Sequence, residues 1–187
     1  AGLFEQVIMQ DPFQRIDSGS PPAIYLLGRT YAEMRQHERA CMMWRAAAQA
    51  SQQRDSVALR SSDAYVRTVF QEEMTSRYEE ATQLYLQLTK AITSGETEAD
   101  RRLLDRHYAQ VEPILPDSLR LGASQNETAG ELALGEQIRR WWYSQDPRPS
   151  TTYNERIIEH LRRVAYAEDN FASNQSSAAF DDRGKVY

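Results

Sequence analysis

Residues 23–52, AIYLLGRTYAEMRQHERACMMWRAAAQASQ, place large and small side chains at helical intervals, and that pattern restricts this stretch to two helices packed together. Ile24, Leu27, Tyr31 and Met34 fall three and four residues apart and form one apolar stripe. Ser20-Pro21-Pro22 opens the first helix, because proline is tolerated where the amide would have no intrahelical partner. Gly28 removes a side chain where a second helix must come close. That second helix presents Ala40, Trp44 and Ala47, a large aromatic knob flanked by small residues, as helix-on-helix packing requires.

The same residues, Leu27-Gly28, Tyr31, Ala40, Trp44 and Ala47, resemble one tetratricopeptide repeat. The resemblance implies a packing unit that holds other proteins and carries no chemistry of its own. Tyr25, Arg29 and Glu33, spaced by four, line the first helix away from its apolar stripe. In repeats of this family that line faces the groove and touches a ligand peptide. Arg29 and Glu33 equally form an ordinary exposed pair worth ~0.3–0.5 kcal/mol. Neighbouring repeat fragments flank this unit. Residues 1–12, with Phe4 and Pro12, resemble a second helix whose first helix would precede residue 1. Residues 76–92 resemble another second helix through Ala81, Tyr85 and Leu88, with Ser76 and Glu79 as a capping box. Residues 57–73 would be its first helix, without the glycine and tyrosine signposts. Residues 1–93 are thus expected to be tetratricopeptide-like helical repeats.

After Thr93-Ser94-Gly95 the pattern changes. Thr97-x-x-Asp100 caps an expected helix with Leu103, Leu104, His107, Tyr108 and Val111, ending by Pro113 or Pro116. Thr128-x-x-Glu131 is expected to cap the next helix, which carries Leu134, Ile138, Trp141 and Trp142 and stops at Asp146-Pro147-Arg148-Pro149. Thr152-x-x-Glu155 is expected to open a last helix with Ile157, Leu161, Val164 and Phe171. Trp141-Trp142-Tyr143 is the densest aromatic cluster. Adjacent helical residues point about 100° apart, so the cluster reads either as buried between the last two helices or as an interface anchor of the kind exposed aromatics supply.

Trp141-Trp142, Asp146-Pro147, Pro149, Asn154-Glu155-Arg156, Arg163-Val164-Ala165-Tyr166-Ala167, Phe171 and Asp182-Arg183-Gly184-Lys185-Val186-Tyr187 resemble the GWxTD-domain family, bacterial proteins of largely undefined role. Its naming tryptophan is missing: Ala178-Ala179-Phe180-Asp181-Asp182 stands in that place, with Asp181 where the family has threonine. The resemblance implies that residues 96–172 are the helices preceding such a domain. Residues 173–187 would be an extended tail, the start of a truncated region that continues as a strand beyond Tyr187. The chain is therefore expected to be part of a longer protein. Many relatives carry export signals, which places the expected location in the periplasm or cell envelope, with the cytoplasm as alternative.

Other classes find little to stand on. The formal charge of −5 comes without a basic cluster, so nucleic acid is not an expected partner. No apolar stretch approaches the ~20 residues of a membrane span. The one cysteine, Cys41, lies on an apolar helix face and reads as a buried, inert thiol. His37, His107 and His160 lack metal-ligand spacing, and Gly28 and Gly135 stand alone rather than in a phosphate loop. Asp181-Asp182 with Glu168-Asp169 reads as solvated acid rather than a cation site, which needs oxygens converging from a loop. No cofactor or metal is expected.

The expected fold is all-α: a tetratricopeptide-like α-solenoid of helical hairpins packed on further helices, with an extended C-terminal tail. The expected function is a non-catalytic protein–protein interaction scaffold, an accessory or assembly subunit of a larger envelope- or membrane-associated complex. Its partners would be other protein subunits, and Tyr25, Arg29, Glu33, Trp141, Trp142 and Tyr143 the candidate binding residues. The alternative is the helical targeting or regulatory arm of an enzyme whose active region lies beyond Tyr187.

Overall fold

The computed structural model describes residues 22–50, 56–122 and 132–186, together with Gln6. All regular elements among the described residues are helical. They are α1 (Ala23–Glu33), α2 (His37–Ala50), α3 (Ser56–Gln71), α4 (Tyr78–Lys90) and α5 (Glu98–Val111), followed by α6 (Asp117–Gly122), α7 (Leu134–Ser144), α8 (Glu155–Phe171) and α9 (Asp182–Val186). The expected helix over residues 1–12 and the Thr128-x-x-Glu131 cap lie outside the described residues; the helix expected after that cap begins at Leu134.

From α1 to α4 each helix packs on the next. The knob-and-gap pattern of 23–52 is the reason. Ala40, Trp44 and Ala47 are all buried, as are Ile24, Leu27 and Tyr31, and the indole Nε1 of Trp44 donates to the Tyr25 carbonyl at 3.3 Å. Gly28 lies against that indole, so a Cβ there would meet Trp44 Cδ1 at 2.7 Å. Met34 does not continue the stripe. It caps α1 beside Arg35, whose φ of 56° reverses the chain, and is 52 % exposed.

The second half then folds back over the first. α5 packs on α3 and α4, α7 on α4, and α8 on α3 and α4. One core of buried side chains runs through both halves, from Leu27 to Ala165. Ile138 and Trp142 of α7 enter it completely, and Leu134 and Trp141 partly. Gly135 sets the distance between α7 and the end of α4: an added Cβ would meet the carbonyl oxygens of Thr89 and Lys90 at 2.5 and 2.6 Å.

The helix starts correct two of the three testable capping expectations. Thr97 does cap α5: its hydroxyl accepts from the Asp100 amide at 3.1 Å, and Asp100 Oδ2 accepts from the Thr97 amide at 3.2 Å. Ser76 and Glu79 form no capping box. Thr75–Arg77 winds as a 3₁₀ turn in which the Thr75 and Arg77 amides already bond Glu73 and Met74 carbonyls, and it runs straight into α4. Thr152 does not open α8 either. Asn154 does, accepting from the amides of Arg156 and Ile157 at 2.9 and 3.1 Å. Its side-chain nitrogen also donates to the Trp142 carbonyl at 2.7 Å, so one asparagine caps α8 and ties it to the end of α7.

The tail is not extended. Ala172 and Phe180 form an antiparallel bridge, the Asp181 amide returns to the Phe171 carbonyl at 2.9 Å, and residues 182–186 coil into α9. Ala178 and Phe180 are buried against Ala167. The apolar pair at 178 and 180 explains the difference, since it can bury only by closing a loop back onto α8.

Substituting alanine normally stabilises a helix by up to ~1 kcal/mol over glycine. At Gly135 the backbone carbonyls cannot give way, so Gly135→Ala is expected to cost ~1–3 kcal/mol instead. Gly28→Ala should cost less, because the Trp44 ring can shift. Equilibrium urea denaturation checks both, and a Gly135→Ala variant more stable than the parent would contradict this packing.

Candidate interaction surfaces and a buried polar network

Of the six residues expected to bind a partner, five reach the surface in some degree and one, Trp142, does not. Arg29 and Glu33 are well exposed, 57 % and 72 % at their side chains, and face each other at 3.8 Å across one helical turn. Tyr25, at the other end of this line, is partly buried. Burial first, and then the Asp63 carboxylate, push its hydroxyl pKa up. Trp142 is fully buried and packs against the rings of Tyr85 and His160, with centroids 6.1 and 5.3 Å away. Its side chain is therefore unavailable as an anchor. Trp141 leans on it at 4.6 Å and stays partly exposed, while Tyr143 is 54 % exposed with the Arg139 guanidinium 5.6 Å over its ring. The structure thus yields two separate outward patches, one on α1 and one on α7.

Between α3, α5 and α8 lies a polar network that the sequence reading did not single out. Asp63 of α3 accepts from Arg106 at 2.5 Å and from His107 Nε2 at 3.1 Å, both on α5. The ionised carboxylate can only accept, so Nε2 of His107 carries the hydrogen. Four residues along α3, Arg67 donates through Nε to Glu168 of α8 at 3.2 Å. Gln110 of α5 donates to the other oxygen of Glu168 at 3.0 Å and to the Ala178 carbonyl of the tail loop at 3.1 Å. Two carboxylates and two guanidiniums are matched in a nearly dry place: the Asp63 and Glu168 side chains are only 12 % and 7 % exposed. The space left among them is about 20 Å³, room for about one water.

Burial alone would raise the Asp63 pKa. The His107 hydrogen bond and the Arg106 charge outweigh it and hold the carboxyl well below the usual range. A second buried carboxylate, Asp100, joins the starts of α3 and α5 by accepting from Ser56 Oγ and Thr97 Oγ1, both at 2.6 Å. His160 is different. Burial beside Tyr85 and Trp142 drives its pKa down to about 3, so the imidazole is neutral and works as an aromatic core residue. The Cys41 thiol is buried and its pKa is pushed up to about 12 by that burial, which leaves no thiolate for nucleophilic work.

The acidic residues weighed as a cation site do not converge. Glu168 points inward to Arg67 and Gln110, whereas Asp181 is gripped by Arg183 at 2.7 Å and starts α9 by accepting from the Arg183 amide. Asp182 pairs with Lys185 instead. No group of three or more metal-ligating side chains comes together among the described residues. Also among them, no helix is long and apolar enough to cross a membrane.

A signal for the network was present in the sequence. Asp63 and Arg67 sit on the α3 face that also carries Leu59, Val66 and Phe70, and charges interrupting an apolar stripe must find partners once buried. Which partners they find depends on the fold.

Comparison of the chain with protein-family models, with curated proteins and with solved structures finds no match in any of the three.

Two acid-sensitive groups give a pH signature with a definite sign. His160 is held neutral in the folded state, so its contribution is complete above an unfolded pKa of about 6.5 and is lost as pH falls from there toward 3. Asp63 is held ionised, so its share is complete above the ordinary carboxyl range and is lost below it. Urea midpoints measured from pH 7.5 downward should therefore fall already between about pH 6.5 and 4.5. His160→Phe should flatten that upper window while leaving the lower loss. A parent protein whose stability is flat across the upper window would contradict the burial of a neutral His160.

Proposed function

We propose that this protein is a non-catalytic, helical protein-interaction scaffold, an accessory or assembly subunit of a larger complex. The observation that carries this reading is the division of its polar groups. The charges between α3, α5 and α8 meet each other, Asp63 with Arg106 and Glu168 with Arg67, while His160 is neutral and Cys41 is protonated. Among the described residues, none of these stands beside an open cleft with a nucleophile and a base in reach. What faces outward is aromatic and charged surface, Arg29 and Glu33 on α1 and Trp141 and Tyr143 on α7, the residue types that anchor and orient partners.

The likeness of residues 23–52 to a tetratricopeptide repeat agrees with this division, and the succession α1 to α4, each helix on the next, is the order such repeats take. On this reading α1–α2 and α3–α4 are two hairpins of a short repeat array, and the later helices close its inner side at α3. The likeness of the last quarter to the GWxTD family supports an envelope-associated complex.

Gentle solubilisation, native purification, mass spectrometry and size analysis test the proposal. The protein should migrate with a defined stoichiometric partner. Combined reversal at Arg29→Glu and Glu33→Arg, or truncation at Tyr143→Ala, should weaken that association at least about tenfold, the range of an interface anchor. A chain that runs free, together with an activity located beyond Tyr187, would favour the helical arm of an enzyme instead.

A further inference from the structure

On the side of α8 turned away from the tail loop, a groove of about 500 Å³ runs between that helix and the end of α3. Phe70, Ile158, Ala165 and Tyr166 give it an apolar floor. Phe70 is fixed there by stacking on Tyr78 at 4.7 Å, and Tyr166 is 43 % exposed. Around the floor stand four carboxylates, Glu73, Glu155, Glu159 and Asp169, against two guanidiniums, Arg162 and Arg163. Glu159 already holds Arg163 at 2.6 Å and Arg156 at 2.7 Å. Glu73, Glu155 and Asp169 hold no cation among the described residues. Elsewhere on the same helix the acids are matched: Glu168, on its inner side, is met by Arg67 and Gln110.

Glu155 adds an independent sign. One of its oxygens accepts from Thr151 Oγ1 at 3.2 Å, but Oε2 is shielded from solvent and has no hydrogen-bond partner. A carboxylate oxygen sheltered in this way costs free energy until a donor reaches it. Arg162 is the lining guanidinium that no carboxylate holds among the described residues.

We propose that this groove docks a basic amphipathic helix, its apolar face on Phe70, Ile158 and Tyr166 and its Lys or Arg side chains on Glu73, Glu155 and Asp169. The assignment rests on the docking role argued above and names the chemistry of one partner. The shape suits it: a floor of apolar side chains with charges along the rim is how a groove receives an amphipathic helix. The charge selects among such helices, because an acidic one would meet like charges at close range.

The probe is a labelled helix of about 15 residues with Leu on one face and Lys on the other, titrated by fluorescence anisotropy beside a Glu-faced counterpart. The Lys-faced helix should bind and the Glu-faced one should not. Affinity should fall as salt rises from about 0.01 to about 0.1 M, which shortens the screening length from about 30 to about 10 Å. Glu73→Gln with Asp169→Asn should weaken binding at least about tenfold, which is about 1.4 kcal/mol. Tyr166→Ala should weaken it as well. Removing the same number of charges elsewhere, at Glu98→Gln and Asp117→Asn, should leave it unchanged, and circular dichroism confirms that each variant is folded. No binding, equal binding of both helices, or an equal loss in groove and control variants would overturn the proposal. Such a failure is separable from that of the scaffold reading: a native partner retained by the Glu73→Gln, Asp169→Asn variant would leave docking intact and this groove excluded.

Discussion

The placing of α5 and α8 on α3 depends on the charges of α3, the ionised Asp63 first, being met inside the protein. A buried carboxylate with no partner is costly, and breaking a buried pair by deleting one member typically costs ~3–5 kcal/mol. Arg106 and His107 answer Asp63 from α5, and Arg67, one turn further along α3, is answered by Glu168 of α8. The inner face of α3 is therefore stable only when α5 and α8 lie on it together. In an open row of helical hairpins that face would be free for a ligand. Here the chain occupies it, and the surfaces proposed for docking are left on α1, on the end of α7 and on the outer side of α8.

Three further polar contacts, each made by one residue to two elements, set how these helices sit. Asp100 caps α5 while receiving Ser56 from the start of α3. Asn154 caps α8 while holding the last turn of α7. Gln110 spans Glu168 and the Ala178 carbonyl, so the tail loop is latched to the same network. Each satisfies backbone or carboxyl groups that burial would otherwise leave unpaired. Between these contacts, packing distance is fixed by missing side chains, at Gly28 under Trp44 and at Gly135 over the carbonyls of α4.

What was legible in the sequence was local. The helix positions from α1 to α5, the knob at Trp44, the space at Gly28, the Thr97 cap and the buried Cys41 all follow from spacing within one or two turns, and all stand in the structure. The misreadings share one cause. Ser76-Glu79 and Thr152-Glu155 fit a capping pattern, but a 3₁₀ turn and the better-placed Asn154 took the amides. The tail looked polar and extended because Ala178 and Phe180 gain their apolar partner, Ala167, only after the loop closes. The network at Asp63 was hidden for the same reason, its members being contributed by α3, α5 and α8. Of the candidate site residues, exposure separated Tyr143 from Trp142, a distinction that adjacent positions on one helix carry only once their neighbours are known.

A helical body with a mixed-charge patch on α1, an aromatic one on α7 and an acidic groove on α8 suits the proposed role of holding partners in fixed relation. Such a role requires the two halves to move as one unit, and that is the claim most open to direct test. Native-state hydrogen exchange should be compared between the parent and Asp63→Asn. The account predicts that amides of α3, α5 and α8 lose protection together and by a common amount, because the Asp63 bonds to α5 and the Arg67 and Gln110 bonds to Glu168 of α8 form one network. Loss confined to α5, with α8 as protected as before, would contradict it.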